Sequence, residues 1–169
     1  MPGMLDLHVD DACFSGDGSL WEKALSHIRT HVILGKEEYV IFIFLGRPFH
    51  QKDDYTSVPH QADYVNAMAI VFIPKARRAR PGYTLTGQAQ HNYRSLVGQL
   101  AWPTRETMPR LSYSVSDLPH TVEIATVGDL IHANQILNFA KTCVIKGHNL
   151  QFLHLDHDRL SWRLSYRDT

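Results

Sequence analysis

The first fifteen residues read as two short runs of strand-forming side chains, 3–9 and 12–15, with Asp10 and Asp11 at the join, the pattern of a tight hairpin. Beyond Gly16-Asp17-Gly18 the period changes. Trp21, Ala24, Leu25, Ile28 and Val32 recur every three or four positions, which predicts a helix from Ser19 to about His31 with one apolar stripe laid on a sheet. Ser19-Leu20-Trp21-Glu22 has the spacing of a capping box at its start, and Gly35 supplies a stop. Residues 39–45 are β-branched and aromatic without polar interruption and so predict a strand buried on both faces. Gly46-Arg47-Pro48 breaks that run, Gln51-Lys52-Asp53-Asp54 predicts a hairpin turn into 55–58, and Pro59 opens a helix through Tyr64 and Val65 toward Met68.

The second half is helical in period. From Thr86, residues Tyr93, Leu96, Val97, Leu100 and Ala101 share one face until Pro103, and a further helical stretch spans about 109–118. Val127, Leu130, Ala133, Leu137, Ala140 and Val144 mark another helix, with Thr126 and Asp129 as its cap and Gly147 as its terminator. Between the halves, Lys75, Arg77, Arg78 and Arg80 stand between Pro74 and Pro81 with neither period, which predicts a basic linker. The expected class is α+β, divided into a strand-rich part at 1–74, the linker at 75–85, a helical region at 86–147 and a β tail at 148–169.

Composition narrows the function classes. A chain of 169 residues that is 44% hydrophobic and 20% charged is too apolar for disorder and large enough for a real core. The longest apolar runs, 39–45 and 67–73, fall well short of the ~20 residues that span a bilayer, so no membrane partner is expected. Two cysteines and no apolar leader predict an intracellular, reducing setting, cytoplasmic or nuclear. Seventeen Lys and Arg balance seventeen Asp and Glu, so a polyanion would have to be held by a local patch.

Two features could carry chemistry. Adjacent carboxylates at a turn can hold Mg²⁺, which takes oxygen ligands and is bound through one or two carboxylates plus substrate phosphates. Asp10 is the better placed ligand, although an Asp pair in a turn also serves as a purely local hydrogen-bonding device. The four cations of 75–80 could contact phosphates in a salt-dependent way or be a solvated linker, and Arg94 and Arg105 are weaker candidates of the same type. His27 and His31 lie four apart, and His154, Asp156, His157 and Asp158 cluster, but neither set completes a zinc site. Cys13 reads as a small buried hydrophobe rather than a nucleophile.

Leu7-His8-Val9-Asp10-Asp11, then Phe14-Ser15-Gly16, a helix, and Phe42-Ile43-Phe44-Leu45-Gly46-Arg47 follow an order that resembles the palm of reverse transcriptases of copia-type LTR retrotransposons. The resemblance continues through His60-Gln61-Ala62-Asp63-Tyr64-Val65, Leu85-Thr86 and Tyr93-Arg94-Ser95-Leu96-Val97-Gly98-Gln99-Leu100. It then takes in Thr104-Arg105, Met108-Pro109-Arg110-Leu111, Val115-Ser116-Asp117-Leu118 and the helix of Asn134, Ile136, Leu137 and Lys141, so that it covers about 3–145.

What the resemblance implies is a polymerase palm half of antiparallel hairpins with packed helices, followed by a helical thumb, and a parent reaction of RNA-directed DNA polymerisation. Asp10 and Asp11 would be the paired catalytic aspartates, holding Mg²⁺ or Mn²⁺ beside a primer 3′ end. Phe44, Leu45, Gly46 and Arg47 would lie near the primer grip, and Lys75, Arg77, Arg78, Arg80 and Arg94 would touch nucleic acid. Implied partners are primer–template, deoxynucleoside triphosphates in the full-length parent, and the remainder of a polyprotein. His8 stands where the family carries Tyr or another large residue. The family's third aspartate and its fingers residues lie upstream of any segment matched here, so the chain alone is not expected to polymerise efficiently. The competing expectation is a catalytically dead nucleic-acid-binding remnant or a domesticated interaction module. Leu164-Ser165-Tyr166-Arg167-Asp168 is similar to the first strand of an RNase H domain.

Overall fold

The computed structural model describes residues 4–8, 11–16, 18–148 and 150–153. Asp10, the cluster of His154, Asp156, His157 and Asp158, and Asp168 lie outside the described residues. The predicted hairpin forms: β1 (Met4–His8) and β2 (Asp11–Ser15) pair antiparallel from His8 opposite Asp11 to Met4 opposite Ser15. Asp11 is therefore the first residue of the return strand. Helix α1 (Ser19–His31) follows. Its expected capping box does not close, because Ser19 is already helical and a capping Ser must stay extended; Gly18, at φ 85°, occupies the cap instead. The Trp21 indole lies on the backbone of Gly16, where a Cβ would come within 2.3 Å of the ring. The stripe of α1 is thinly covered, with Trp21, Leu25 and Ile28 half-buried and Ala24 and Val32 exposed.

Strands β3 (Ile41–Phe44), β4 (Arg47–Gln51) and β5 (Ser57–Pro59) form an antiparallel meander in that order. The expectation of a strand buried on both faces at 39–45 is overturned. β3 is an edge strand in which Phe44 alone is buried, while Ile41 and Ile43 are 66% and 63% exposed. Nor does Gly46-Arg47-Pro48 break the run. Leu45 and Gly46, at φ 54° and 71°, make a two-residue turn that sets Arg47 opposite Phe44, because positive φ at both central positions matches the twist of paired strands. The polar turn expected near 51–54 does form, with Asp54 Oδ1 accepting from Thr56 N at 2.9 Å.

Beyond α2 (Ala62–Ala67) the chain runs without regular structure to α3 (Lys75–Arg78), a single helical turn where the sequence predicts a linker without period. Pro74 sits at the cap position, which needs no N–H donor, and Lys, Ala and Arg are all good helix formers. Helix α4 (Gln88–Glu106) continues through Pro103 instead of stopping there. The missing proline N–H would have bonded the carbonyl of Gln99, and the Tyr64 hydroxyl donates to that carbonyl at 3.3 Å. Two 3₁₀ turns flank α5 (Ser112–Asp117), and α6 (Val127–Ile145) follows. At the start of α6, Thr126 N donates to Asp129 Oδ2 at 2.7 Å and Asp129 N to Thr126 Oγ1 at 3.3 Å, the predicted capping box. At its end Gly147, at φ 65°, lets its own N–H reach Val144 O and that of His148 reach Cys143 O.

One apolar cluster joins Val65, Met68 and Ile73 to Leu85 and to residues of α4, α5 and α6, so it draws on both sides of 75–85. Asn134, buried on α6, donates through Nδ2 to Val71 O at 2.9 Å and accepts from Val71 N at 3.0 Å. Phe152 and Ser57 exchange both backbone hydrogen bonds alongside β5. The architecture is α+β with small antiparallel sheets, and no helix among the described residues is long and apolar enough to cross a membrane. Replacing Asn134→Leu keeps the branched outline of the side chain but strands both Val71 backbone groups. Urea unfolding followed by tryptophan fluorescence is expected to show a loss of about 2 kcal/mol, within the range for polar groups left unpaired.

Candidate functional site

A cleft of about 360 Å³ opens between β2, α1, the 34–39 connection and β3. Asp11, Cys13, Arg29, Glu37 and Tyr39 line it. Asp11 is half-buried, and its Oδ2 accepts a hydrogen bond from Leu45 N at 3.3 Å. Two groups that the sequence singles out separately thus meet: a carboxylate of the Asp pair and the turn of 44–47. The contact has a physical reason. Leu45 is held at positive φ, a conformation that costs a non-glycine residue roughly 1–2 kcal/mol, and a charge-assisted bond to its N–H offsets part of that cost. The second oxygen of Asp11 has no hydrogen-bond partner among the described residues.

The same cleft is lined by a polar network that no sequence motif announces. Arg29 Nε and Nη2 bond the two carboxylate oxygens of Glu37 at 3.0 and 2.6 Å, the two-pronged geometry that suits guanidinium and carboxylate. The Tyr39 hydroxyl donates to Glu37 Oε2 at 2.6 Å and accepts from Arg29 Nη2 at 3.1 Å. The Arg29 hydrogen bond, then that of Tyr39, holds the Glu37 carboxyl at about 2, and the same bond to Glu37 pushes the Tyr39 phenol up. On the opposite wall, burial and then the nearby Asp6 carboxylate push the Cys13 thiol up. A raised thiol is a poor nucleophile, in keeping with the sequence reading of Cys13.

Among the other predicted residues, Phe44 is buried, Gly46 is exposed and Arg47 is half-buried, paired with Glu106 at 2.6 Å and lying over the Phe49 ring at 5.8 Å. Arg47 thereby ties the β3–β4 turn to α4. Lys75, Arg77, Arg78 and Arg80 are exposed and line no part of the cleft. Arg94 is committed to Glu123 at 3.1 Å, and Arg105 is exposed. The His27 and His31 rings lie 4.1 Å apart at a tilt of 39°, and among the described residues no group of three or more His, Cys, Asp or Glu gathers to hold a metal ion. The Arg29–Glu37 pair escapes sequence reading because the two lie eight apart across a helix end, outside any periodic spacing.

No protein-family model matches the chain, and no curated protein or solved structure matches it.

Because the folded carboxyl of Glu37 titrates at about 2 instead of its usual 4.5, its contribution is complete above about 4.5 and is lost as pH falls toward 2. In Arg29→Ala the Glu37 midpoint, read by carboxyl-carbon NMR, is expected to rise toward 4.5, with the tyrosine bond keeping it slightly below.

Proposed function

We propose that this chain is a palm-and-thumb portion of a copia-type reverse transcriptase, related to nucleotidyl transfer onto a primer 3′ end. The observation that carries the reading is the hydrogen bond between the Asp11 carboxylate and the 45–46 turn, since it joins the two groups that the resemblance assigns to the chemistry. The exposed cations of 75–80 support it as a place to hold backbone phosphates. In the parent reaction the primer 3′ oxygen loses its proton and bonds to the α-phosphorus of a deoxynucleoside triphosphate, and pyrophosphate leaves.

The donor chemistry of Asp11 fits Mg²⁺ or Mn²⁺. A half-buried carboxylate with one oxygen oriented by a backbone N–H and the other without a protein partner among the described residues suits hard dications, which keep several waters. Asp11 would hold the cation together with Asp10, the residue before it in the chain. When bound, the cation neutralises charge on the triphosphate. The chain's own part is positional: the Leu45 N–H fixes one carboxylate rotamer, and the Arg47–Glu106 pair anchors the turn that supplies that N–H.

Asp11→Asn keeps an acceptor for Leu45 N while removing the charge. Mn²⁺ affinity, measured by calorimetry with primer–template and nucleotide present, is expected to fall roughly tenfold or more with little change in melting temperature. Unchanged affinity overturns the reading. Primer extension by the chain alone is expected to be feeble, and any templated product should vanish in Asp11→Asn.

A further inference from the structure

Residues 64–105 hold six Lys and Arg and no Asp or Glu, although the chain as a whole carries seventeen of each. Four of the six, Lys75, Arg77, Arg78 and Arg80, fall within six residues of chain, all exposed and none in an ion pair among the described residues. Crowding like charges without counter-charge is unfavourable, and here the backbone that presents them is fixed at both ends. On the near side, the two bonds between Asn134 and Val71 fix the backbone. Ile73 enters the core and Phe72 points out, 83% exposed. On the far side, Val127 N and Gly128 N donate to Tyr83 O and Pro81 O, each at 2.8 Å. A Cβ on Gly128 would stand 3.3 Å from Pro81 O, so the approach is close. Tyr83 is 57% exposed, with the Arg80 guanidinium over its ring at 5.2 Å and bonded to its hydroxyl at 3.1 Å.

Both clamps belong to one helix. Positions 128 and 134 of α6 are six residues apart, a rise of roughly 9 Å, close to the length of about three stacked nucleotides. Two solvent-facing rings on a rigid mount, with cations between them, form a specific combination: charge for phosphates and flat apolar faces for bases. A duplex hides its base faces inside the stack and would leave both rings without a partner, whereas an unpaired strand offers a face for each.

We infer that the 72–83 segment is a binding surface for single-stranded nucleic acid, in which Lys75, Arg77, Arg78 and Arg80 hold the backbone while Phe72 and the Tyr83–Arg80 stack each take a base. The inference deepens the proposed reading, which already gives the cations of 75–80 to backbone phosphates, but it needs neither Asp10 nor Asp11, so loss of strand binding and loss of metal binding are distinguishable.

Fluorescence anisotropy with end-labelled oligo(dT), a duplex of equal length and heparin as a base-free polyanion tests it. Oligo(dT) is expected to bind more tightly than the duplex. Phe72→Ala and Tyr83→Ala should each weaken oligo(dT) roughly fivefold or more while leaving heparin unchanged. Removing two cations in Arg77→Ala/Arg78→Ala should flatten the log–log salt slope by about 1.4. Asp11→Asn should leave oligo(dT) binding intact, which separates this outcome from a failure of metal binding. Both ring positions are exposed, and Phe72→Leu, which retains apolar bulk without a ring, serves as a second variant expected to bind as weakly as Phe72→Ala. Equal affinity of the ring variants and wild type, tighter binding of the duplex, or no salt-dependent binding of oligo(dT) overturns the inference.

Discussion

Helix α6 is apolar over more than one face, and it must be enclosed. Val127, Leu130, Ala133, Asn134, Ile136, Leu137, Ala140 and Cys143 are all buried, a set too wide for a single stripe. One neighbour cannot cover it. The α4–α5 side closes part of the helix, and Val65, Met68 and Ile73 close another. The requirement for cover from two directions draws the stretch after the meander onto the helical half, and 74–82 is left to pass over the outside. Its position on the surface follows from core packing, since Ile73 and Leu85 are both nearly inaccessible while the residues between are exposed.

The ribbon end obeys a different economy. No residue of α1 is buried, β3 shows two isoleucines to solvent, and among the described residues the two-stranded ribbon β1–β2 has no third strand. Such a region opens locally at lower free energy than the α6 core does. What holds it is polar: the Arg29–Glu37–Tyr39 network and the Asp11–Leu45 bond. Exposed ion pairs contribute little individually, so the fixed rotamer of Asp11 depends on the strained Leu45 turn as much as on the surrounding packing. A carboxylate lining a lightly packed cleft can change ligands at small cost, as the proposed cation and phosphate chemistry would require.

Much of this was legible from residue order, and the failures have identifiable causes. The pairing of 4–8 with 11–15, the α6 capping box at Thr126 and the Gly147 terminator depend on neighbours a few residues away, and local rules find them. The 39–45 run misleads because burial is a tertiary property: seven apolar residues predict an interior strand only if something covers both sides, and for β3 the described chain covers one. Pro103 misleads in the opposite sense. The Gln99 carbonyl that Pro103 leaves without a donor accepts from the Tyr64 hydroxyl, 35 positions before Gln99, which no window over the α4 sequence contains. The Leu45 turn was hidden because leucine carries no signal for positive φ; the carboxylate that supports it lies 34 positions upstream. At the candidate site, residue types were readable and their meeting was not.

The zero net charge conceals a partition. Residues 1–63 carry five Lys and Arg against ten Asp and Glu, while 64–105 carry six cations and no acid. The acidic share coincides with the ribbon, α1 and the meander, where Asp11 and the cleft lie, and the basic share includes the turn mounted on α6. Fields of opposite sign at two parts of one small protein act within a Debye length of about 8 Å at physiological salt. On the proposed reading a polyanion would be drawn to the α6 turn and turned away from the ribbon, whereas dications would concentrate at the ribbon. Cation binding at the acidic part would reduce that repulsion and let a strand held at the basic turn extend toward the cleft. The proposed roles then imply an order: phosphate contact at the basic turn would come first, and engagement of Asp11 second, once bound cations had neutralised its surroundings.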